Sequence, residues 1–390
     1  MVEETERAIC GLSEGAMAMQ FVVSKQNLQK ELGFVQGVVE KKNTIPVLSN
    51  ILIESVGENT IRITGTDLDV TIRCEMDAEE ITIPGSMCVQ ARKLFEIARL
   101  LPDAPVSFKK EENEWVTVKC DRARFKMVGV AREAFPEVPS FKSAPTKLPA
   151  GVIKTFIDRT IFAITQEESR YTLSGAKFVL DETGARMVTT DGHRLAFVEK
   201  KGLVSNGGNE TIDTLIPRKT LAELTKLTAA NFDEEISLGM DENHIYFQVG
   251  PRLLISRMLY GQFPNYEMVM PKNNDKSVEF NSSLLNLAIR RVALMADERS
   301  HAIRFHLEPN QLVISSQNAE EGEANETIQT DYAGDVTDIG FNAQYLQEFL
   351  NVIGDAKVAF EFKDGNSQAQ LHPSENGDYD YKYVVMPMRI

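Results

Sequence analysis

The chain has 390 residues, 43% apolar and 25% charged, with a net charge of −15. That length suits two to four domains at ~150 residues each. No apolar run approaches the ~20 residues of a membrane span. The acidic balance argues against a protein held to nucleic acid by phosphate neutralisation alone.

The first 18 residues lack the basic and apolar regions of a secretory signal, so residues 1–18 are expected to be a disordered extension and the fold to begin at Met19. Ser24 is a fair N-cap for an amphipathic helix carrying Leu28, Leu32, Val35 and Val39. A hairpin is expected over residues 51–67, turning at Gly57-Glu58-Asn59. A second helix shows Leu94, Ile97, Ala98 and Leu101 on one face and stops at Pro102-Asp103. Strands follow at 106–108, 115–118 and 124–128, and the Pro139–Pro149 stretch reads as a linker.

The pattern then restarts. A helix carries Ile153, Phe156, Ile157, Ile161 and Ile164. Strands 177–180 and 186–189 flank the turn Asp181–Gly184, and the second runs into the polar turn Thr190-Asp191-Gly192-His193-Arg194-Leu195. Pro217 is suited to the first turn of a helix with Leu221, Leu224 and Leu227 inside. Strands are expected at 235–238, 245–249 and 253–258, and a second linker at Pro271–Asp275. A third copy opens at the cap Asn281-Ser282, with Leu285, Ala288, Val292 and Met295 on its helix. Its hairpin spans 304–315, and an acidic run, Glu320 to Glu326, follows. Asn342 caps a helix with Leu346, Phe349, Leu350 and Ile353, and the last strand is Tyr383–Met386.

The fold class is therefore α+β: three tandem similar domains, each with two helices packed on antiparallel sheet. Their expected bounds are 19–143, 147–266 and 276–390.

Chemistry is sparse. Cys10, Cys74, Cys88 and Cys120 form no CxxC pair and have no histidine at metal-ligand spacing, so reduced thiols in a cytoplasmic protein are expected and no metal. There is no phosphate loop, HExxH or GxSxG, and no cofactor is expected. Asp191, His193 and nearby Ser174 permit a hydrolase reading only if the fold supplies a nucleophile and an orienting acid. A packed turn is the plainer reading, and no catalytic residue is assigned.

The informative pattern lies in the second helices. Aligned on Leu94 and Leu221, Arg92 matches Lys219 and Arg99 matches Lys226, each pair at i, i+7 on one face. Lys93 and Arg218 add to it, while the third copy has Gln344 and Asn351 there. Such faces are often merely solvated. The repeated spacing favours a functional surface instead.

From Met19 to Ile390 the chain resembles the bacterial DNA polymerase III β subunits, the sliding clamps. The resemblance rests on Thr190–Leu195, the terminal Tyr383-Val384-Val385-Met386-Pro387-Met388-Arg389, Ile216-Pro217-Arg218-Lys219, Thr64–Leu68 and Phe263-Pro264-Asn265-Tyr266. It implies a DNA clamp fold that closes into a ring from two subunits head to tail, holds duplex DNA by topology, and tethers a polymerase without catalysis. A loader and other proteins carrying short clamp-binding peptides are the further partners it implies. The alternatives are a non-topological DNA binder or a structural homo-oligomer.

Family DNA contacts fall on Lys42, Arg92 and Tyr171, and on Glu167 and Thr172, where the chain departs from the family's polar and aromatic residues. Arg99, Arg218, Lys219 and Lys226 join them from the repeat pattern. The family's peptide pocket matches Arg170, Leu173, Thr190, Gly192, His193, Arg194, Leu195, Pro264, Val269, Val384, Val385, Met386, Pro387, Met388 and Arg389. Arg170, Arg194 and Arg389 are expected at its rim, and Met268 replaces a basic family residue. The ring interface is expected to set Phe125 and Met127 against Leu294 and Met295 of the other subunit.

Overall fold

A computed structural model describes residues 18–39, 45–140, 146–167, 169–203, 211–375 and 377–389. Residues 1–17 of the expected extension, Cys10 among them, and Lys42 lie outside the described residues, as does part of the first linker.

Six α-helices occur among the described residues: α1 (Lys25–Val38), α2 (Ala91–Leu100), α3 (Ala150–Thr160), α4 (Arg218–Ala229), α5 (Ser282–Val292) and α6 (Ala343–Ile353). Each directly follows a strand or, for α1, the single residue after one. Those strands are Gln20–Val23, Ser86–Gln90, Thr146–Pro149, Ile212–Pro217, Lys276–Asn281 and Thr337–Asn342. The expected caps form: Ser24 accepts from Asn27 N, Asn281 from Leu284 N, and Asn342 from both Gln344 N and Tyr345 N. Pro217 corrects its expectation. It ends a strand, and α4 begins one residue later.

The chain packs as two compact units. The first comprises the described residues to Ala150 together with Ala222–Arg257. It holds a five-stranded sheet, ordered Glu80–Ile83, Gln20–Val23, Val106–Lys110, Val116–Cys120, Ala123–Met127. It also holds a nine-stranded sheet in which Val70–Asp77 pairs antiparallel with Arg252–Arg257. The last strand of the second repeat thus continues the sheet of the first. Thr146–Pro149 also joins this sheet, against Glu235–Met240, so the end of the expected linker is a strand.

Two features fix α1 here. Its apolar face buries Leu28, Leu32, Val35 and Val38. Gly65 leaves no room for a side chain, since a Cβ there would sit 2.6 Å from Val35 Cγ1. A buried ion pair adds to this: Arg252 Nη2 and Nε donate to the two Glu31 carboxylate oxygens at 2.6 and 2.8 Å. The guanidinium carbon also lies 4.4 Å from the centre of the Phe34 ring.

The second unit is Gly151–Leu221 with Met258–Ile390. Its eight-stranded sheet places Arg194–Lys201 against Asp380–Val385, again fourth strand of one repeat against last strand of the next. The strand Arg194–Lys201 was not anticipated. The polar turn before it masked a run whose apolar residues are buried on both faces. The remaining four-stranded sheet is ordered Gly322–Gln329, Gln311–Asn318, Ala302–Glu308, Thr337–Asn342. Here most of the acidic run, for which no strand was expected, lies in the edge strand Gly322–Gln329. Its exposed glutamates hid its alternation.

Candidate peptide cavity and basic helix faces

One turn organises the cavity. Asp191 Oδ1 accepts from His193 N at 3.0 Å and Arg194 N at 3.1 Å, while Thr190 Oγ1 accepts from Gly192 N at 3.0 Å. Gly192 takes φ +89°, which glycine adopts without a side-chain clash. The His193 carbonyl accepts from Met386 N at 2.9 Å, which fastens the chain after the last strand to the turn.

Behind the turn lies an apolar floor of Val188, Leu195, Phe197, Leu215, Phe263 and Val384. Above it is a small cavity of about 100 Å³. From the second repeat it is lined by Leu173, Thr190, Gly192, Arg194 and Leu195. The following loop supplies Pro264, Tyr266 and Val269, and the chain end supplies Val384 and Met386. Tyr266 was missed as a lining residue although the Phe263–Tyr266 motif contained it. Burial and then the nearby Arg186 guanidinium act on its hydroxyl in opposite senses, and its pKa is raised on balance.

The other expected pocket residues stand apart from this cavity. Arg170 braces the turn, donating from Nη1 to Asp191 O at 2.6 Å, and Nε pairs with Glu167 at 3.1 Å. His193 stacks towards Tyr345 with ring centres 6.5 Å apart. Val385, next to Val384 in a strand, faces the opposite side and is buried. Pro387 is not among the lining residues. Met388 N donates to Gly340 O at 2.8 Å, and Met388 and Arg389 border a separate polar groove of about 1120 Å³ on the four-stranded sheet.

Arg194 corrects the expected rim. Its side chain is 7% exposed and committed. Nε donates to Asp191 Oδ2 at 2.9 Å, Nη2 to Phe162 O at 2.8 Å, and Nη1 to Glu348. The guanidinium carbon lies 4.3 Å from the Tyr345 ring centre and 5.5 Å from that of Phe162. With all three guanidinium nitrogens engaged within the chain and the side chain buried, it is not an open cation at a rim. The same bonds dispose of the hydrolase reading: Asp191 is consumed by its own turn and Arg194, and Ser174 Oγ donates to Tyr171 O.

The basic faces are mixed. On α2, Arg92, Lys93 and Arg99 are exposed, and Glu96 accepts from Arg92 at 3.2 Å and Lys93 at 3.0 Å. Arg99 lies over the Phe95 ring at 5.9 Å. On α4, Lys226 is exposed and pairs with buried Glu223 at 2.7 Å, and Lys219 is half-buried. Arg218 is occupied otherwise, donating to the carbonyls of Ile161 at 3.4 Å and Ile164 at 3.2 Å. Tyr171 is 52% exposed. Thr172 packs its methyl where Gly261 would otherwise carry a Cβ.

Of the expected interface residues, Phe125 lies on the open edge strand Ala123–Met127 and is 37% exposed, while Met127 is 8% exposed. Leu294, just after α5, is 75% exposed, and Met295 is half-buried.

Three family models cover this architecture end to end. They are the N-terminal domain (residues 19–139), central domain (147–265) and C-terminal domain (267–389) of the DNA polymerase III beta subunit. The chain belongs to this family, whose members are non-catalytic processivity factors. It is 35% identical over 378 residues to the beta sliding clamp of Pseudomonas aeruginosa, covering 95% of this chain and all of that one. The Escherichia coli beta sliding clamp is 32% identical over 373 residues, with the same coverage. Among solved structures, the P. aeruginosa clamp bound to griselimycin superposes with a TM-score of 0.89 at 36% identity, covering 96% of this chain and all of that one. The Bacillus subtilis clamp gives 0.89 at 26% identity, covering 95% and 99%. Among the described residues no helix is long and apolar enough to cross a membrane.

Proposed function

We propose that the protein is a cytoplasmic sliding clamp: two copies joined head to tail close around duplex DNA and tether the replicative polymerase and other peptide-bearing partners. The observation that carries this reading is the rule by which the repeats join. Within the chain, the fourth strand of one repeat pairs with the last strand of the next, at Val70–Asp77 with Arg252–Arg257 and at Arg194–Lys201 with Asp380–Val385. Two equivalent strands are left at sheet edges, Gly322–Gln329 and Ala123–Met127. Pairing them between copies would complete a nine-stranded sheet from the five and four that remain. Their charges suit it, with Glu323 on one edge and Arg124 on the other, while Glu326 and Lys126 are paired within the chain to Arg291 and Glu111. Phe125 and Leu294 would supply apolar contact beside the seam, with Met127 and Met295 behind them.

The domain bounds 19–143, 147–266 and 276–390 go with this reading. A ring holds DNA topologically, so the basic faces need only weak contacts. Arg92, Arg99, Lys219, Lys226 and Tyr171 are the DNA-facing candidates, with Lys42. Glu167, paired to Arg170, and the packed Thr172 contribute less, and Arg218 serves the fold. The cavity beside Gly192 and Met386 would take an apolar peptide side chain, and Met386 suits varied partners through its flexible thioether. The test is retention on nicked circular DNA before and after linearisation, with a clamp loader and ATP. Retention on the circle and rapid loss from the linear form is expected. Equal retention would mean ordinary phosphate binding.

A further inference from the structure

The first two repeats carry the same turn. In the first, Asp67 Oδ1 accepts from Asp69 N at 3.0 Å and Val70 N at 2.7 Å, and Thr66 Oγ1 accepts from Leu68 N at 3.1 Å. Leu68 takes φ +83° where Gly192 takes +89°. The copies differ at the residue that follows: Val70 in the first, Arg194 in the second. The turn therefore forms without an arginine, and the buried guanidinium cluster is an addition peculiar to the repeat that carries the cavity.

Arg194 walls that cavity, yet its charged end must be kept out of apolar space, because an unpaired buried cation is costly. Asp191 and Phe162 O take part of it from within the second repeat. The second carboxylate it meets is Glu348, on α6 of the third repeat. Glu348 is 46% exposed and does not line the cavity, so trimming it leaves no hole in the floor. Tyr345, one turn earlier on α6, covers the guanidinium face.

We propose that Glu348 is a positioning residue of the peptide cavity: from the third repeat it draws the Arg194 guanidinium away from the apolar space that Arg194 walls, and so keeps the cavity open for a peptide side chain. The proposal rests on reading this cavity as the partner site. Preformed walls add affinity by removing an ordering cost from binding.

The probe is griselimycin, which a clamp 36% identical to this chain binds. Its affinity is measured by calorimetry on the full-length protein, with thermal midpoints alongside. Glu348→Ala is expected to weaken binding about tenfold with the midpoint nearly unchanged, and Glu348→Gln, which keeps an acceptor, to weaken it less. Because Glu348 acts through Arg194, Glu348→Ala combined with Arg194→Met should weaken binding no more than Arg194→Met alone. Wild-type affinity in Glu348→Ala, or additive losses in the double variant, would overturn the proposal. A wild-type protein that fails to bind griselimycin would overturn the cavity reading itself, and this proposal with it.

Discussion

Arg252 and Glu31 show how much one residue pair can carry. Both are almost wholly enclosed, and each satisfies the other bidentately. Removing one partner strands a charge, so Glu31→Ala should lower unfolding free energy by about 3–5 kcal/mol, measured by urea denaturation with the family fold checked by circular dichroism. Sequence reading did not find this pair, because its members are 221 positions apart and nothing in either local pattern marks a partner. Arg194 escaped for a related reason. Its motif was legible, but its direction was set by Phe162, Tyr345 and Glu348 from distant segments. Cys74, Cys88 and Cys120 are buried, and burial pushes the Cys88 thiol up to about 12. These three should resist a thiol reagent at pH 8 until denaturant is added, with labelling followed by mass spectrometry.

Turns and caps are where elements meet water, and most of them could be read from local chemistry. Asn342 caps α6 with its carbonyl and donates from its amide to Ser300 O at 3.2 Å. Asn342→Ala should cost about 1–2 kcal/mol, again by denaturation. The hairpin turn at Asp181 offers a pH test. Thr183, through its hydroxyl and amide, together with Arg186, holds the Asp181 carboxyl below the usual range. Its contribution is then full above the unfolded value of ~3.9 and lost as pH falls through the lower folded value. Wild type should exceed Asp181→Asn in thermal midpoint at pH 7, and the gap should close below about pH 4. Elements whose signal lay in pairing rather than periodicity were harder. The Gly322–Gln329 strand is polar outside and only half-covered inside, so its alternation was too faint to separate from a loop.

For the whole molecule, the tandem repeat was legible because both helices of every copy kept their apolar spacing, and three of the six carried a readable cap. What periodicity does not reveal is how the copies share sheets, since hydrogen bonds between repeats leave no mark on either sequence alone. The proposed seam can be tested by reversing charge. Glu323→Lys should move the protein from dimer towards monomer in analytical ultracentrifugation, and adding Arg124→Glu should restore part of the dimer.

Those two edges have a further consequence. An open strand invites any other open strand, its own twin included. Two copies of the edge that bears Glu323 repel each other, as do two copies of the edge that bears Arg124. Like refuses like, and only unlike edges are drawn together. A population of such chains sorts itself by polarity before any precise fit is tried, and mismatched stacks are discouraged at the moment of encounter.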